Sequence, residues 1–250
     1  MIKTALITGA TSGIGKATAY EFAKHGIQLI LCGRRLDRLQ TIQKELESLT
    51  NVHTLSFDVR NNTEIEHAIH SLPDNFKTID ILINNAGNAH GFDPIQTGDI
   101  DDWDAMMDIN VKGLLYVSKA IIPKMVERQS GHIINIGSSA GKEVYPKGNV
   151  YCASKHAVLA ITEGMRIDLN QTGIKVGAVN PGLVETEFSK VRFKGDKIAD
   201  NVYKGFKALQ AEDIAEIIYF VISRPYHVNI ADLLVFPTAQ ANSTTIKKAH

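Results

Sequence analysis

Seven short apolar runs set the frame: residues 3–8, 28–32, 53–57, 79–83, 132–136, 175–179 and 233–236, separated by segments long enough for a helix. Most of these runs are nearly continuous in Val, Ile and Leu, as strands read when both faces of a sheet are covered. The intervening segments carry helical periodicity. In 36–49, Leu39, Ile42, Leu46 and Leu49 fall on one face, and 63–72 behaves alike. Strands alternating with helices predict βαβ units, hence an α/β fold with a doubly wound parallel sheet and a crevice at the carboxyl ends of its strands. No repeat, low-complexity stretch or linker interrupts the 250 residues, and a chain that is 44% hydrophobic can fill one core. A single domain over 1–250 is expected. Residues 238–250 form a polar tail, either loose or docked on a partner subunit.

The first run leads straight into Thr8-Gly9-Ala10-Thr11-Ser12-Gly13-Ile14-Gly15, followed by a helix-forming segment, 16–25. Glycines between a strand and a helix let the backbone approach a pyrophosphate, which the positive end of the helix attracts. Any one of them fits an ordinary tight turn. Three at Gly-x-x-x-Gly-x-Gly spacing in this context predict a dinucleotide site of the Rossmann type, with Gly9, Thr11, Ser12, Gly13, Ile14 and Gly15 as its contacts. The second run decides which dinucleotide. A carboxylate at its end would bond a ribose 2′-hydroxyl, whereas an arginine accommodates a 2′-phosphate. The chain has Gly33-Arg34-Arg35, and guanidinium groups offer planar, permanently charged donors to phosphate. NADP is favoured over NAD, the alternative being two solvated arginines that open a surface helix. Asp37 lies past the strand, where it complements the helix N-terminus.

Tyr151-Cys152-Ala153-Ser154-Lys155 falls in another helical stretch. Positions i and i+4 share a helix face, so phenol and ammonium project together. A free tyrosine, with a pKa of about 10, is too reluctant a base near neutrality. A nearby ammonium favours phenolate and brings it toward the range of general acid–base catalysis. Tyr-x-x-x-Lys alone is common in helices. Its weight comes from the fifth run, which ends in Gly137-Ser138-Ser139. Ser138 at a strand's carboxyl end is placed to bond a substrate oxygen whose charge changes during hydride transfer, with Ser139 as a turn or cap serine beside it.

Other chemistries find little support. The 27 basic and 27 acidic side chains cancel, so no general attraction to nucleic acid or membrane is expected. Cys32 and Cys152 make neither a metal-ligand spacing nor a disulfide framework, and Cys32 reads as core. Among nine histidines, His67 and His70 lie on a polar helix, and no metal site is expected. The apolar runs fall far short of the roughly 18 to 20 residues of a membrane helix. The start of the chain has no basic segment followed by an apolar stretch, so a cytoplasmic setting is the expectation.

Residues 1–237 resemble the short-chain dehydrogenase/reductase family, on motifs that occur in order: residues 8–15, Asp58-Val59, Asn84-Asn85-Ala86-Gly87, Asn110, Ser138, Tyr151, Lys155, and Pro181-Gly182 with Thr186. The resemblance implies that Asp58 and Val59 hold the adenine, and that Asn84, Ala86, Gly87, Pro181, Gly182 and Val184 border the cofactor. Lys155 would bond the nicotinamide ribose and Thr186 the carboxamide. Asn110 would position a water linking Lys155 to solvent, completing a catalytic tetrad of Asn110, Ser138, Tyr151 and Lys155. Taken singly, Asn84 and Asn85 read as turn formers, Asp58 as a cap and Pro181-Gly182 as a loop. The family also implies a homotetramer, with helices containing 102–127 and 150–170 packing against symmetry mates and 214–236 making a second interface.

Residues 131–138, Gly148-Asn149-Val150-Tyr151, Glu187-Phe188-Ser189 and 191–196 are similar to the bacterial NADP-dependent 3-hydroxy acid dehydrogenases, a group that includes serine and allo-threonine dehydrogenases and malonic semialdehyde reductases. That implies reversible oxidation of a small-molecule 3-hydroxy acid, Tyr151 removing the hydroxyl proton as hydride leaves for the nicotinamide. A substrate carboxylate wants a cation. Arg192, in an expected lid over 183–210, is the candidate, the alternative being a lid-surface residue. The chain departs from the group at Lys142-Glu143-Val144 and in a shorter Leu183-Val184-Glu185-Thr186. Two rivals stand beside this reading: a 3-oxoacyl or broad carbonyl reductase, and a regulator that senses NADP without turnover. The full tetrad counts against the second.

Overall fold

The computed structural model describes residues 3–195 and 201–249. Seven strands form one parallel sheet: β1 (Thr4–Thr8), β2 (Gln28–Gly33), β3 (Val52–Ser56), β4 (Ile81–Asn84), β5 (Gly131–Ile136), β6 (Ile174–Pro181) and, last in the chain, β9 (Asp232–Val235). Their order across the sheet is β3-β2-β1-β4-β5-β6-β9, so the chain winds outward from β1 in one direction and then from β4 in the other. This is the doubly wound α/β sheet expected from the alternating pattern, in one domain.

Alternate strand residues feed two cores, as the period of a strand requires. Ile7, Leu29, Leu31, Ile83 and Ile134 pack against Phe22 of α1 (Gly13–Lys24), Leu39 and Ile42 of α2 (Leu36–Leu46), and Ile214 and Ile218 of α8 (Ala211–Ile222). Leu6, Ile30, Leu55, Leu82 and Ile133 face the other way, toward Ile65 of α3 (Asn62–His70) and Val117 and Ile121 of α5 (Leu114–Glu127). Also on that face lies α6 (Asn149–Asp168), whose Met165 borders the core. The α2 helix stops at Leu46, three residues before the expected end, which leaves Leu49 54% exposed rather than on the buried face.

Three features escape the periodic pattern. Before α5, the helix α4 (Ile100–Met107) runs into a wide π-type turn, Asp108–Gly113, that carries Asn110. A short helix, α7 (Phe188–Arg192), follows β7 (Val184–Glu185), which pairs in parallel with β8 (Leu209–Gln210). The polar tail, finally, folds back on its own chain: Gln240 is 5% exposed and Lys247 N–H donates to Ala239 O at 2.8 Å. No helix among the described residues is long and apolar enough to cross a membrane.

His132, in the middle strands, gives the fold a pH signature. Burial, with help from Lys175 and Lys3, pushes its imidazole down to about 3, and its Nε2 has no hydrogen-bond partner among the described residues. The unfolded chain takes up this proton near 6.5 and the folded chain refuses it. Stability from this group is therefore full above pH 6.5 and falls as pH drops toward 3, by roughly 1.4 kcal/mol per pH unit. Urea midpoints between pH 4 and 7 should decline less steeply for His132→Leu than for the unaltered protein. Parallel slopes would assign the acid sensitivity elsewhere.

Candidate functional site

A cavity of about 610 Å³ opens at the carboxyl ends of β1, β2, β4, β5 and β6. Its floor is the loop after β1. Gly9 and Gly13 have φ of +65° and +52°, the left-handed region that glycine tolerates. At Ser12, the N-cap of α1, the side chain does not cap, so the first N–H groups of the helix face the loop. A Cβ on Gly13 would meet Thr186 at 3.3 Å, so the loop passes close under the segment after β6. Gly15 is not in the cavity wall. A Cβ there would lie 2.5 Å from Gly9 O, so it lets the helix pack onto its own loop. Thr8 Oγ1 accepts from the N–H groups of Asn85 and Ala86 at 3.0 and 2.9 Å, tying the end of β4 to the loop.

The expected contacts Gly9, Thr11, Ser12, Gly13, Ile14, Arg34, Arg35, Asp58, Val59, Ala86, Gly87, Pro181, Gly182, Val184 and Thr186 all line this cavity. Asn84 does not. As the last residue of β4, it points to the α5 side, where its Nδ2 donates to Ser118 Oγ and Asn135 Oδ1, both at 2.9 Å. Its neighbour Asn85 lines the wall instead.

Four guanidinium groups, those of Arg34, Arg35, Arg38 and Arg60, gather at one end. Arg34 is exposed, 3.7 Å from Asp58. Burial works against the Asp58 charge, yet the hydrogen bonds and charge of Arg60 hold its carboxyl below the usual carboxylate range. Arg35 Nη2 donates to Thr11 Oγ1 and Ser12 Oγ at 2.7 and 2.9 Å, and its Nη1 reaches Glu187 at 3.2 Å. Arg38, one turn along α2, reaches the same Glu187 carboxylate with Nη1 at 3.0 Å. Burial opposes the Glu187 charge, but its bonds to Arg35 and Arg38 keep the carboxyl low.

At the other end, Ser138, Tyr151 and Lys155 share the wall. Ser138 accepts from Ala140 N–H at 3.1 Å, so the cap of this turn is Ser138 and not Ser139, and its hydroxyl also acts to lower the Tyr151 phenol. Tyr151 departs from expectation. Burial pushes its phenol up, Tyr145 adds to that, and the groups that oppose it are Ser138 and the Arg192 charge. Lys155 is not among the largest causes. Its Nζ donates to Ile136 O at 3.0 Å, and burial lowers it to about 8. Helical spacing put both residues on one face; the backbone carbonyl of β5 then drew the ammonium aside.

Asn110 sits behind the wall. Its Oδ1 accepts from Asn88 N–H at 2.8 Å, and its Nδ2 donates to Asn88 O at 2.8 Å and Ser154 Oγ at 3.0 Å. A Cβ on Gly87 would lie 3.1 Å from Asn110 Oδ1 and 3.4 Å from Lys155 Nζ, so both side chains converge on this glycine.

Arg192 is not a surface residue. It ends α7, is 8% exposed, and lies over the rings of Phe92 (4.8 Å), Tyr151 (5.3 Å) and Tyr145 (5.4 Å). Nη1 donates to the Tyr145 hydroxyl at 2.7 Å, while the buried Nη2 has no partner among the described residues. Gly91 N–H donates to Arg192 O at 3.0 Å, and Lys194 pairs with Asp102 at 3.0 Å, so two contacts hold this segment over the cavity. Asp196, in the stretch 191–196, lies outside the described residues.

Residues 3–197 match the family model described as short chain dehydrogenase. The chain belongs to the short chain dehydrogenase family. This dehydrogenase is 47% identical to the NADP-dependent 3-hydroxy acid dehydrogenase of Schizosaccharomyces pombe over 248 residues, covering 98% of the chain and 96% of the relative. It is 46% identical to the protein of that name from Salmonella typhi, covering 94% and 95%. A solved serine dehydrogenase in its closed form with NADP+ superposes with a TM-score of 0.93 at 43% identity, covering 99% of this chain and 100% of that one. Several wall residues of the dehydrogenase escaped the sequence reading: Phe92, Tyr145, and the tail residues Gln240, Ser243 and Ile246. Of the residues around Arg35, Arg38 had a visible signal in its i+3 spacing.

Proposed function

We propose that this dehydrogenase is an NADP-dependent oxidoreductase that interconverts a short 3-hydroxy acid and the corresponding carbonyl compound. One observation carries the substrate class: a buried guanidinium with an unpartnered Nη2 lies 5.3 Å from the ring of Tyr151, beside Ser138. A carboxylate on Arg192 would place a hydroxyl carbon two bonds farther along the substrate within reach of that pair. The names of the relatives from Schizosaccharomyces pombe and Salmonella typhi point the same way. The test is a panel of L-serine, L-allo-threonine, 3-hydroxypropionate, neutral alcohols and 3-oxoacyl thioesters with NADP(H). Activity confined to the thioesters would assign the site to an acyl reductase, and none at all would leave the sensing reading.

The cavity fits the dinucleotide. The left-handed Gly9 and Gly13 bring bare backbone and the N-terminus of α1 to one place, where a pyrophosphate would sit. Asp58, Val59 and Ile14 would flank the adenine, and Thr186 and Val184 the nicotinamide carboxamide. Bound NADP supplies the carbon that takes or returns a hydride; the protein's part is to position and to move a proton. In the oxidative direction Tyr151 accepts the hydroxyl proton at its phenolic oxygen, while Ser138 donates to the same substrate oxygen. Lys155, freed from Ile136 O, would bond the ribose, and Asn110 would hold the path to solvent behind Gly87. Within the expected lid 183–210, of which 196–200 lie outside the described residues, α7 would hold Arg192 against the substrate.

Arg34 and Arg35 should set the cofactor preference, with Arg38 assisting from one turn along α2. Charge-assisted hydrogen bonds contribute about 1.5–3 kcal/mol, or roughly one to two decades in affinity per contact. Replacing Arg34 and Arg35 by alanine should weaken NADP much more than NAD in titrations, and Arg38→Ala should do so to a smaller degree. A wild-type preference for NAD in kcat/KM would contradict the assignment.

The same reading makes the protein a homotetramer in the cytoplasm. Exposed Leu115 and Val126 on α5, Ile167 on α6, and Phe220 and Leu234 near the end of the sheet give apolar faces where the symmetry mates would meet. Cys32 and Cys152 are buried free thiols, in keeping with a reducing compartment. Light scattering at micromolar concentration should give four times the mass of the chain; a monomer would contradict it.

A further inference from the structure

The carboxy-terminal tail closes one side of the cavity. Gln240, Ser243 and Ile246 line it together with Ser139, Tyr145 and Leu183. The tail is a tight reversal: Gln240 bridges Ile246 in antiparallel fashion, and Asn242 Oδ1 accepts from the N–H groups of Thr244 and Thr245 at 2.9 and 2.8 Å. Three bonds fasten it to distant parts of the chain. Leu183 N–H donates to Gln240 Oε1 at 2.9 Å, over a Gly182 whose Cβ would come within 2.4 Å of that oxygen. Ser243 N–H donates to Glu143 Oε2 at 2.8 Å, and Ala249 N–H donates to Gly205 O at 2.7 Å.

The Glu143 contact gives a departure from the related group a physical meaning. Glu143 follows the Ser138 turn directly, its own N–H donating to Ser139 O at 3.1 Å. Lys142 beside it pairs with Asp232 at the start of β9. The two charged residues therefore couple the catalytic turn to the end of the chain. We propose that Gln240, Ser243 and Ile246 are the substrate-length determinant of this enzyme, a wall held against the catalytic turn by Glu143. Ile246 presents the apolar surface, Gln240 fixes its distance from Leu183, and Glu143 fixes its distance from Ser138. The wall limits how far a substrate extends beyond its hydroxyl carbon, away from Arg192. The inference rests on the reading of the cavity as an alcohol/carbonyl site and not on which anion Arg192 holds.

The test is a chain-length profile. Straight-chain 3-hydroxy acids and 2-alkanols of increasing length are assayed with NADP for wild type, Ile246→Ala, Glu143→Gln and a chain ending at Ala239, with NADPH affinity as the control. Each methylene newly accommodated is worth about tenfold or more in kcat/KM. Ile246→Ala should shift the optimum to longer members in both series, carried mainly by a lower KM, while NADPH affinity stays put. Glu143→Gln should broaden the profile, and the truncation, if it folds, should broaden it most. Unchanged profiles in both point variants would overturn the proposal. If 2-alkanols shift but acids are not preferred over them, the wall stands and the carboxylate reading falls. If acids are preferred and neither series shifts, the wall falls alone.

Discussion

Tyr151→Phe should abolish turnover while NADPH still binds. The loss should be at least the roughly 10²–10⁴-fold that follows removal of a positioned general acid–base. The substitution leaves the ring packed against Phe188, 5.7 Å away, and removes one oxygen, the one whose proton Ser138 helps to loosen. Protonation gives a second readout. Burial pushes the Tyr151 phenol up, so near neutrality the residue keeps its proton and phenolate is scarce. Oxidation requires phenolate and should accelerate as pH rises above neutrality; reduction requires phenol and should stay flat before falling on the alkaline side. Both pH dependences should vanish in whatever residual activity the phenylalanine variant retains. Near-normal turnover in a preparation free of host enzyme would remove Tyr151 from the mechanism.

Arg192→Ala should damage oxidation of hydroxy acids by one to two decades or more in kcat/KM, the value of a charged hydrogen bond. Neutral alcohols of similar size should lose much less. They will not be wholly spared, because the Arg192 charge also opposes the upward push on the Tyr151 phenol. Arg192→Lys should restore only part of the difference. Lysine keeps the charge but not the planar group that stacks over Phe92 and donates to Tyr145, so the anion would be held without orientation. An equal loss for charged and neutral substrates would mean that Arg192 serves only to hold α7 in place.

What the sequence disclosed was local. The strand–glycine–helix unit of residues 4–24 and the periodic runs of the sheet depend on neighbours in the chain, and these emerged within a residue or two. Parity defeated the reading of Asn84: where β4 ends decides which of two adjacent asparagines faces the cavity, and no periodicity fixes that. Spacing placed Tyr151 and Lys155 on one face but not the direction of the ammonium, which Ile136 O settles across a tertiary contact. The surroundings of Arg192 come from Phe92, Tyr145 and Tyr151, three segments that meet only in the fold. Glu187 meets Arg38 across 149 residues of sequence, and the tail meets Glu143 across 100. A polar tail looks the same in sequence whether it is loose or pinned.

The claim at the centre is that hydride leaves the hydroxyl carbon of a short 3-hydroxy acid whose carboxylate rests on Arg192. The direct measurement uses 3-hydroxypropionate carrying deuterium at its hydroxyl carbon, with NADP as the acceptor. Deuterium should appear in the reduced nicotinamide, the labelled acid should react more slowly, and Arg192→Ala should lose this transfer further. Unlabelled NADPH, or no transfer from the acid while 3-oxoacyl thioesters are reduced readily, would contradict it.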